Sequence, residues 1–309
     1  MKRLHIELTN RCVLSCPACP RTEWANILKR PLPKQDLDYE LLDQFLDCTG
    51  GKSIDNFLLC GDFGDCIYYP QLFEFLEHFR QSKTYTVCTN GSRRTPEFWH
   101  KLASLLTPHD EVVFAIDGLE DTNHLYRKNS DWASTMQGLE IMVASGVKVS
   151  WQTIVFKFNQ DSIQQIQSFA ESKGAKFLLL NTHRFGDESL RPSQSYIETD
   201  FEFKPVYNTI SVPIQPKCRV DEVIPTVGAD GIFYPCDWLR NPNTFYKSQL
   251  WKHKHRWLDQ LNIAETNYDQ AMEVIQDWAN SVEHNSETGG PVDTLCKMKC
   301  RKDLCARTT

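Results

Sequence analysis

Three cysteines near the start of the chain have the spacing of a metal-binding loop. Cys12, Cys16 and Cys19 form a C-x3-C-x2-C run directly after a short apolar segment at residues 4–9. A cubane iron–sulfur cluster contains four irons and normally takes four thiolates. Three thiolates from one loop would leave one iron free to bind another molecule. The same thiols could instead hold zinc, form a disulfide or pack in the core.

A second cysteine group lies in the last third of the chain. Cys218 and Cys236 form a C-x12-G-x4-C segment, and three more cysteines follow near the end as C-x3-C-x4-C. Gly231 permits a tight hairpin that returns the second thiol toward the first. Four thiolates suit an iron–sulfur cluster, and they suit a structural zinc ion as well. The favoured ligands are Cys218, Cys236, Cys296 and Cys300, with Cys305 as an alternative.

Composition is that of an ordinary globular protein of 309 residues, with 41% hydrophobic and 24% charged residues. The net charge of −6 argues against broad nucleic-acid binding, which needs clustered lysine and arginine. No segment has the hydrophobic length of a signal peptide or a membrane span. We therefore expect a cytoplasmic protein, in which thiols stay reduced and clustered cysteines indicate metal.

Short apolar runs alternate with amphipathic helical runs through the first part of the chain. Helical stripes at i, i+3, i+4 and i+7 separate the runs, as in the segments around residues 72–79 and 98–106. The alternation predicts a parallel α/β sheet that curls into a partial (β/α)6 TIM-like barrel. In such barrels the loops after the strands form the active site, and the first cysteine loop is one of them. The predicted strands are residues 4–9, 56–60, 84–89, 111–117, 148–156 and 176–181.

The pattern changes after residue 185. Prolines interrupt short strand-like pieces, and residues 223–234 predict a hairpin around Gly231. A helix is predicted over residues 268–280. We therefore expect a barrel domain at residues 1–185, followed by a linker and a small cysteine-rich domain at residues 186–309.

The first cysteine run resembles the signature of the radical S-adenosylmethionine (radical SAM) superfamily, in which the open iron chelates SAM. The likeness covers residues 4–182, while residues 218–305 resemble the SPASM or twitch extensions that hold auxiliary [4Fe–4S] clusters. The terminal C-x3-C-x4-C departs from the longer SPASM cysteine string. The resemblance implies a SAM-binding [4Fe–4S] cluster, S-adenosyl-L-methionine as cosubstrate, and one auxiliary [4Fe–4S] cluster.

Loops after the second and third predicted strands resemble SAM-binding elements of the family. Gly64 and Asp65 match the second glycine and the acid of the "GGEP" element. There a carboxylate would accept hydrogen bonds from the SAM ammonium group. Asn90 lies in a Thr-Asn-Gly run that resembles the "TNG" turn near the methionine end of SAM. An ordinary Asn-Gly turn is the alternative for this run.

Later candidates follow the fourth to sixth strands. Asp117 resembles the acid of the "S-x-DG" element, although Ala115 replaces its serine and puts one SAM contact in doubt. By the same resemblance, Arg127 would pair with the SAM carboxylate, with a surface cation as the alternative. Gln152 is a candidate for the ribose hydroxyls or for ordinary core hydrogen bonding. His183 is a weaker acid–base or substrate-binding candidate.

The resemblance implies an enzyme that reductively cleaves SAM to methionine and a 5′-deoxyadenosyl radical. That radical would abstract a hydrogen from a peptide or small-molecule substrate, leading to oxidation, crosslinking or rearrangement. The electron would come from a flavodoxin- or ferredoxin-like donor. The competing interpretation is a non-catalytic iron–sulfur or zinc-binding electron-transfer protein, which has no need of the glycine-acid and Asn-Gly elements at successive strand ends.

Overall fold

Apolar runs form the strands at the places that the sequence predicts. The structure is a computed structural model that describes residues 2–180, 188–193, 196, 214–219, 224–240, 245–288, 292–293, 296–297 and 300. Two predicted site residues, His183 and Cys305, lie outside these described residues. The strands are β1 Arg3–Ile6, β2 Asn56–Leu59, β3 Thr84–Thr89, β4 Glu111–Ala115, β5 Lys148–Ile154, β6 Lys176–Leu180, β7 Thr226–Val227 and β8 Phe233–Tyr234.

Amphipathic segments form the helices between these strands. The helices are α1 Pro20–Leu28, α2 Tyr39–Leu46, α3 Thr49–Lys52, α4 Leu72–Phe79, α5 Pro96–Leu105, α6 Trp132–Ala144, α7 Ile163–Ser172, α8 Gln249–Lys252 and α9 Tyr268–Thr288. Short 3-10 helices include Cys66–Tyr68 and Asn123–Leu125. Side-chain caps fix several helix starts, because Thr95 and Asp131 each accept a first-turn backbone N–H.

The chain forms two compact units, each built from separate stretches of sequence. One unit comprises Glu7–Asp36 and Asn56–Glu202, and the other comprises Met1–Ile6, Leu37–Asp55 and Phe203–Thr309. We call the first the barrel unit and the second the cysteine-rich unit. The domain division at residues 185 and 186 stays a prediction.

The barrel unit contains five parallel strands paired in chain order, from β2 to β6. This progression confirms the predicted α/β class with a mostly parallel sheet, as in a partial TIM-like barrel. Helices pack on the sheet through large rings, and Trp99 lies 5.3 Å from Phe114 between centroids. Gly138 leaves the room for that ring, since an ideal Cβ at Gly138 would lie 2.4 Å from Trp99 Cε2. Because the strands are parallel, the loops that follow them all begin at the carboxyl edge of the sheet.

The cysteine-rich unit has its own small sheet and core. β1 pairs with β7 in parallel, with His5 opposite Thr226, and β7 pairs with β8 in antiparallel. The predicted hairpin is therefore confirmed, and Gly231 at its turn has a φ of 74° that favours glycine. The rings of Phe45 and Phe233 lie 5.2 Å apart in the core.

Several strand and helix boundaries differ from the sequence predictions. β1 ends at Ile6 rather than at residue 9, and α9 continues to Thr288 rather than ending at residue 280. Helix α1 was not predicted, because its nine residues mix polar and apolar side chains without a clear apolar stripe. It begins at Pro20, whose fixed φ suits the first helical position.

Candidate functional site

The three N-terminal cysteines lie on the loop between β1 and α1. Cys12, Cys16 and Cys19 are free thiols, and Cys19 is the residue that precedes the first turn of α1. The Cys19 N–H donates to the Cys16 carbonyl at 3.2 Å, which holds the end of the loop in a turn. The Cys19 thiol donates to the carbonyl of Asp62, in the loop after β2, at 3.6 Å. The cysteine loop therefore lies at the carboxyl edge of the sheet.

Apolar side chains surround the cysteine loop. Cys16 packs with five other buried residues, and Cys12 and Cys19 pack against the same cluster. The rings of Tyr126 and Phe156 lie 4.2 Å apart within it. Such surroundings limit the access of water and oxygen to the thiols. The other buried members are Leu14, Ala18, Tyr126, Phe156 and Leu190.

Burial makes all three thiols weak acids in the metal-free chain. It raises the pKa of Cys12 to about 12 and that of Cys16 to about 11, and it raises the pKa of Cys19 as well. The negative charge of Asp65 adds to the effect at Cys12. Thiolates are the metal-ligating form, so metal binding at this loop must release protons.

Each sulfur has hydrogen-bond donors of a different kind. The Leu14 N–H donates to Cys12 Sγ at 3.4 Å, and Asn90 Nδ2 donates to the same sulfur at 3.6 Å. The positive charge of Arg127 favours the thiolate of Cys16, and the backbone N–H groups of Arg21 and Thr22, in the first turn of α1, favour the thiolate of Cys19. Three soft donors on one loop, with N–H groups directed at the Cys12 sulfur, fit an iron–sulfur cluster well.

Asp65 lies at the centre of a buried network that joins the loops after β2 and β3. Its Oδ2 accepts the Asn90 N–H at 2.6 Å, the Thr89 hydroxyl at 3.0 Å and the Asn90 side-chain amide. Its Oδ1 accepts the Ile67 N–H at 3.2 Å. Burial raises the pKa of Asp65 to about 6 despite these donors. The carboxylate is therefore used to hold the two loops together, and its predicted contact with the SAM ammonium group stays a prediction.

Gly64 allows the loop after β2 to approach the segment between β1 and the cysteine loop. An ideal Cβ at Gly64 would lie 1.9 Å from the Thr9 carbonyl oxygen and 2.8 Å from Asn10 Cα. The next residue, Asp65, donates its N–H to the Arg11 carbonyl at 2.9 Å. Only a glycine fits this backbone-to-backbone contact.

Glu7 is a site residue that the sequence reasoning missed. It is 1% exposed, and its Oε1 accepts the backbone N–H groups of Phe63 and Gly64, the latter at 3.1 Å. A carboxylate inside an apolar strand segment is the signal that could have identified it, because buried acids need partners. Through these two hydrogen bonds, Glu7 holds the loop that contains Gly64 and Asp65.

Asp117 and Arg127 form a buried ion pair after β4. The Arg127 Nε lies 2.6 Å from Asp117 Oδ2, and their side chains are 15% and 0% exposed. The other carboxylate oxygen of Asp117 accepts the Ile154 N–H at 2.8 Å. Although burial lowers the pKa of Arg127, the charges of Asp117 and Cys16 raise it above the ordinary value. The arginine is thus a permanent buried cation next to Cys16.

The structure brings the predicted SAM-binding residues together in the barrel unit. Gln152 lies on β5 opposite Ala115 of β4, and its carbonyl accepts the Ile116 N–H at 2.9 Å. Its side chain is half-buried, and its predicted contact with the ribose stays a prediction.

Among the described residues, no three His, Cys, Asp or Glu side chains are grouped closely enough to hold a single metal ion.

Four thiols of the second cysteine group influence one another through their charges in the cysteine-rich unit. Burial raises the pKa of Cys236, and the neighbouring charges of Cys218 and Cys300 raise it further. Burial also raises the pKa of Cys296, with contributions from the other three thiols. The Cys300 N–H donates to the Cys296 carbonyl at 2.9 Å, so these two lie on one helical turn. The predicted four-thiol ligand set stays a prediction, and Cys305 lies outside the described residues.

Comparison with known proteins identifies a superfamily. The model of the Radical SAM superfamily matches residues 6–170, more than half of the chain. A curated relative, the tungsten-containing aldehyde ferredoxin oxidoreductase cofactor-modifying protein of Pyrococcus furiosus, is 28% identical over 120 residues. The match covers 38% of this chain, and this chain spans about a third of that relative, 32% of its length.

Two solved structures share the fold at low sequence identity. anSMEcpe with bound AdoMet is 16% identical with a TM-score of 0.61, and the match covers 91% of this chain and 80% of that chain. SuiB of Streptococcus suis bound to S-adenosylmethionine is 11% identical with a TM-score of 0.58, covering 96% and 77%. At these identities the likeness shows the fold alone.

No helix in the described part of the chain is long and apolar enough to cross a bilayer.

Proposed function

Because this chain belongs to the radical SAM superfamily, we propose that it reductively cleaves S-adenosylmethionine and uses the resulting 5′-deoxyadenosyl radical to abstract a hydrogen from its substrate. The observation that carries the proposal is the loop of three free thiols beside the Asp65 network. Cys12 receives a hydrogen bond from Asn90, and Asn90 is held by Asp65. The glycine-acid and Asn-Gly elements thus converge on the cysteine loop, which a simple metal-binding protein does not require.

The residues of the site divide into ligands and supports. Cys12, Cys16 and Cys19 would hold a [4Fe–4S] cluster, which supplies the electron for SAM cleavage when bound. Asn90 and the Leu14 N–H orient Cys12, while Arg127 faces Cys16. The apolar cluster around the loop excludes water from the position of the reacting groups.

We propose a peptide as the first substrate class to test and a small molecule as the second. anSMEcpe has been solved with bound AdoMet and the Cp18Cys peptide, and SuiB with its precursor peptide SuiA. Both proteins share the fold of this chain, and this likeness supports a peptide as the substrate. The electron would come from a flavodoxin- or ferredoxin-like protein. The net reaction would be an oxidation, a crosslink or a rearrangement.

The second cysteine group supports a further proposal, an auxiliary [4Fe–4S] cluster. The four thiols lie close enough for each charge to influence the others, and all are soft ligands. Four thiolates equally suit a structural zinc ion, so the metal itself must be measured. Protein reconstituted with iron and sulfide should hold about eight irons per chain for two cubanes and about four for one. Zinc bound by the second group would give that group a structural role.

The decisive experiment measures 5′-deoxyadenosine. The protein is reconstituted without oxygen, reduced with dithionite and mixed with SAM, and 5′-deoxyadenosine should form even without substrate. The variant Cys16→Ala should lose this product. Cys48→Ala is the matched control, because Cys48 is a free thiol that donates to the Phe45 carbonyl and belongs to neither cysteine group, and it should keep the product. Intact clusters that yield no 5′-deoxyadenosine would instead favour the non-catalytic electron-transfer protein.

A further inference from the structure

Arg127 is placed to act on the cysteine loop. Its guanidinium is held by Asp117, with Nε and Oδ2 2.6 Å apart, and its positive charge acts on the Cys16 thiol. Its Cζ lies 5.4 Å from the ring centroid of Tyr126, and Tyr126 packs in the same apolar cluster as Cys16. These contacts fix the cation next to one of the three thiols.

The turn that carries Arg127 is fastened to the cysteine loop at a second point. The Ser15 N–H donates to the Lys128 carbonyl at 3.1 Å, and Asn129 Nδ2 donates to the Ser15 hydroxyl at 2.9 Å. Ser15 directly precedes Cys16, so the two segments cannot move apart without breaking both bonds. The distance between the cation and the Cys16 sulfur is therefore set by the fold.

We infer that Arg127 is a positioning residue that raises the reduction potential of the N-terminal cluster through its positive charge, and that Asp117 moderates this effect. The inference rests on the proposed function, since it requires a cluster on this loop. It gives Arg127 a role other than pairing with the SAM carboxylate. Its Nε donates to Asp117 Oδ2 at 2.6 Å, and its charge acts on the Cys16 thiol.

The sign of the effect follows from electrostatics. One-electron reduction adds a negative charge to the thiolate-bound cluster, and a nearby buried cation stabilises the reduced form. Removal of the cation should therefore make reduction harder. Removal of the Asp117 carboxylate should make reduction easier, because the arginine charge is then less compensated. If Arg127 and Asp117 served only for packing, the loss of either charge would not shift the reduction potential in opposite directions.

The test is a potentiometric titration followed by the EPR signal of the reduced cluster. The signal that changes on addition of SAM identifies the N-terminal cluster. We expect Arg127→Gln to lower the equilibrium constant for one-electron reduction about tenfold, which is about 59 mV toward more negative potential. Asp117→Asn should shift the potential in the opposite direction. Arg127→Lys keeps the charge and should shift it less than Arg127→Gln.

A second buried ion pair supplies the control. Arg80 and Asp110 lie 3.0 Å apart in the same unit, with Asp110 fully buried, and they precede β3 and β4 at the opposite edge of the sheet. Arg80→Gln and Asp110→Asn should leave the equilibrium constant for one-electron reduction within about twofold of the wild-type value. If Arg127→Gln assembles no cluster, the neutral double variant Asp117→Asn with Arg127→Gln takes its place. It should still reduce less readily than Asp117→Asn.

The outcomes separate the inference from the proposed function. Equal potentials in all variants, or shifts of one sign for both Arg127→Gln and Asp117→Asn, overturn the role of Arg127. A wild-type protein that holds its cluster but produces no 5′-deoxyadenosine refutes the proposed function. The potentials still decide the role of Arg127 in that case.

Discussion

The variant Gly64→Ala should disable the cysteine loop without touching a cysteine. Its Cβ would lie 1.9 Å from the Thr9 carbonyl oxygen, whereas ordinary contacts begin at 3.4 Å. The backbone atoms on both sides cannot rotate away as a side chain could. The loop after β2 must therefore retreat from residues 9–10 by about 1.5 Å.

This retreat has a definite energetic consequence. The loop would lose the bonds from the Phe63 and Gly64 N–H groups to Glu7 and from the Asp65 N–H to the Arg11 carbonyl. At about 1 kcal/mol each, the variant should lose about 3 kcal/mol of unfolding free energy. Displacing a positioned group by 1 Å costs roughly a hundredfold in rate, so 5′-deoxyadenosine formation should fall about a hundredfold or more.

The measurements are the iron content of reconstituted protein, the rate of 5′-deoxyadenosine formation and urea unfolding of the metal-free chain. Gly146→Ala is the control, because Gly146 has a φ of 83° and no atom within 4 Å of an ideal Cβ. It should lose roughly 1 kcal/mol from backbone strain alone and keep its iron. Wild-type iron and wild-type SAM cleavage in Gly64→Ala would refute this reasoning.

Three more predictions concern other parts of the structure. The pKa of Asp65 is raised to about 6 from 3.8, so the folded state holds this proton to higher pH than the unfolded chain. Its ionisation should therefore lower the stability of the metal-free protein by about 3 kcal/mol as pH rises from about 4 to about 7, and Asp65→Asn should remove that loss. Cys236→Ala should reduce the iron content from about eight to about four per chain while SAM cleavage persists. Gly138→Ala should push against the Trp99 ring and lower stability by about 1–3 kcal/mol, as measured by urea unfolding.

Each of these predictions can fail in a recognisable way. Identical stability-against-pH curves for Asp65→Asn and the wild type would mean that Asp65 does not titrate in this range. Unchanged iron in Cys236→Ala would remove Cys236 from the second metal site. A Gly138→Ala variant as stable as the wild type would show that the Trp99 ring can shift without loss of packing.

The strands and the metal-binding loop were predictable because their signals are local. Short runs of valine, isoleucine, leucine and phenylalanine between turn residues locate all six predicted strands within a few residues. The cysteine spacing and its place after the first strand locate the loop. Gly64 was predicted because the loop after the second strand resembles the glycine-rich element of the family.

The partners of the polar residues were not predictable, because they depend on which loops meet at the sheet edge. Asp65 is read from the sequence as a group for SAM, yet its oxygens accept hydrogen bonds from Thr89, Asn90 and Ile67. Glu7 is 56 residues from Phe63 in the chain, and no local pattern connects them. The pairing of Arg127 with Asp117 likewise follows from the path of the irregular segment after β4.

The pairing of β1 with β7 has a consequence for the order in which the protein matures during synthesis. His5 contacts Thr226 across a sequence separation of 221 residues. At roughly 5–20 residues per second, a ribosome needs about 10–45 s to deliver the partner of the first strand. The barrel segments and their cysteine loop emerge well before that time. The thiols of the cysteine loop are thus synthesised before β1 can pair with β7.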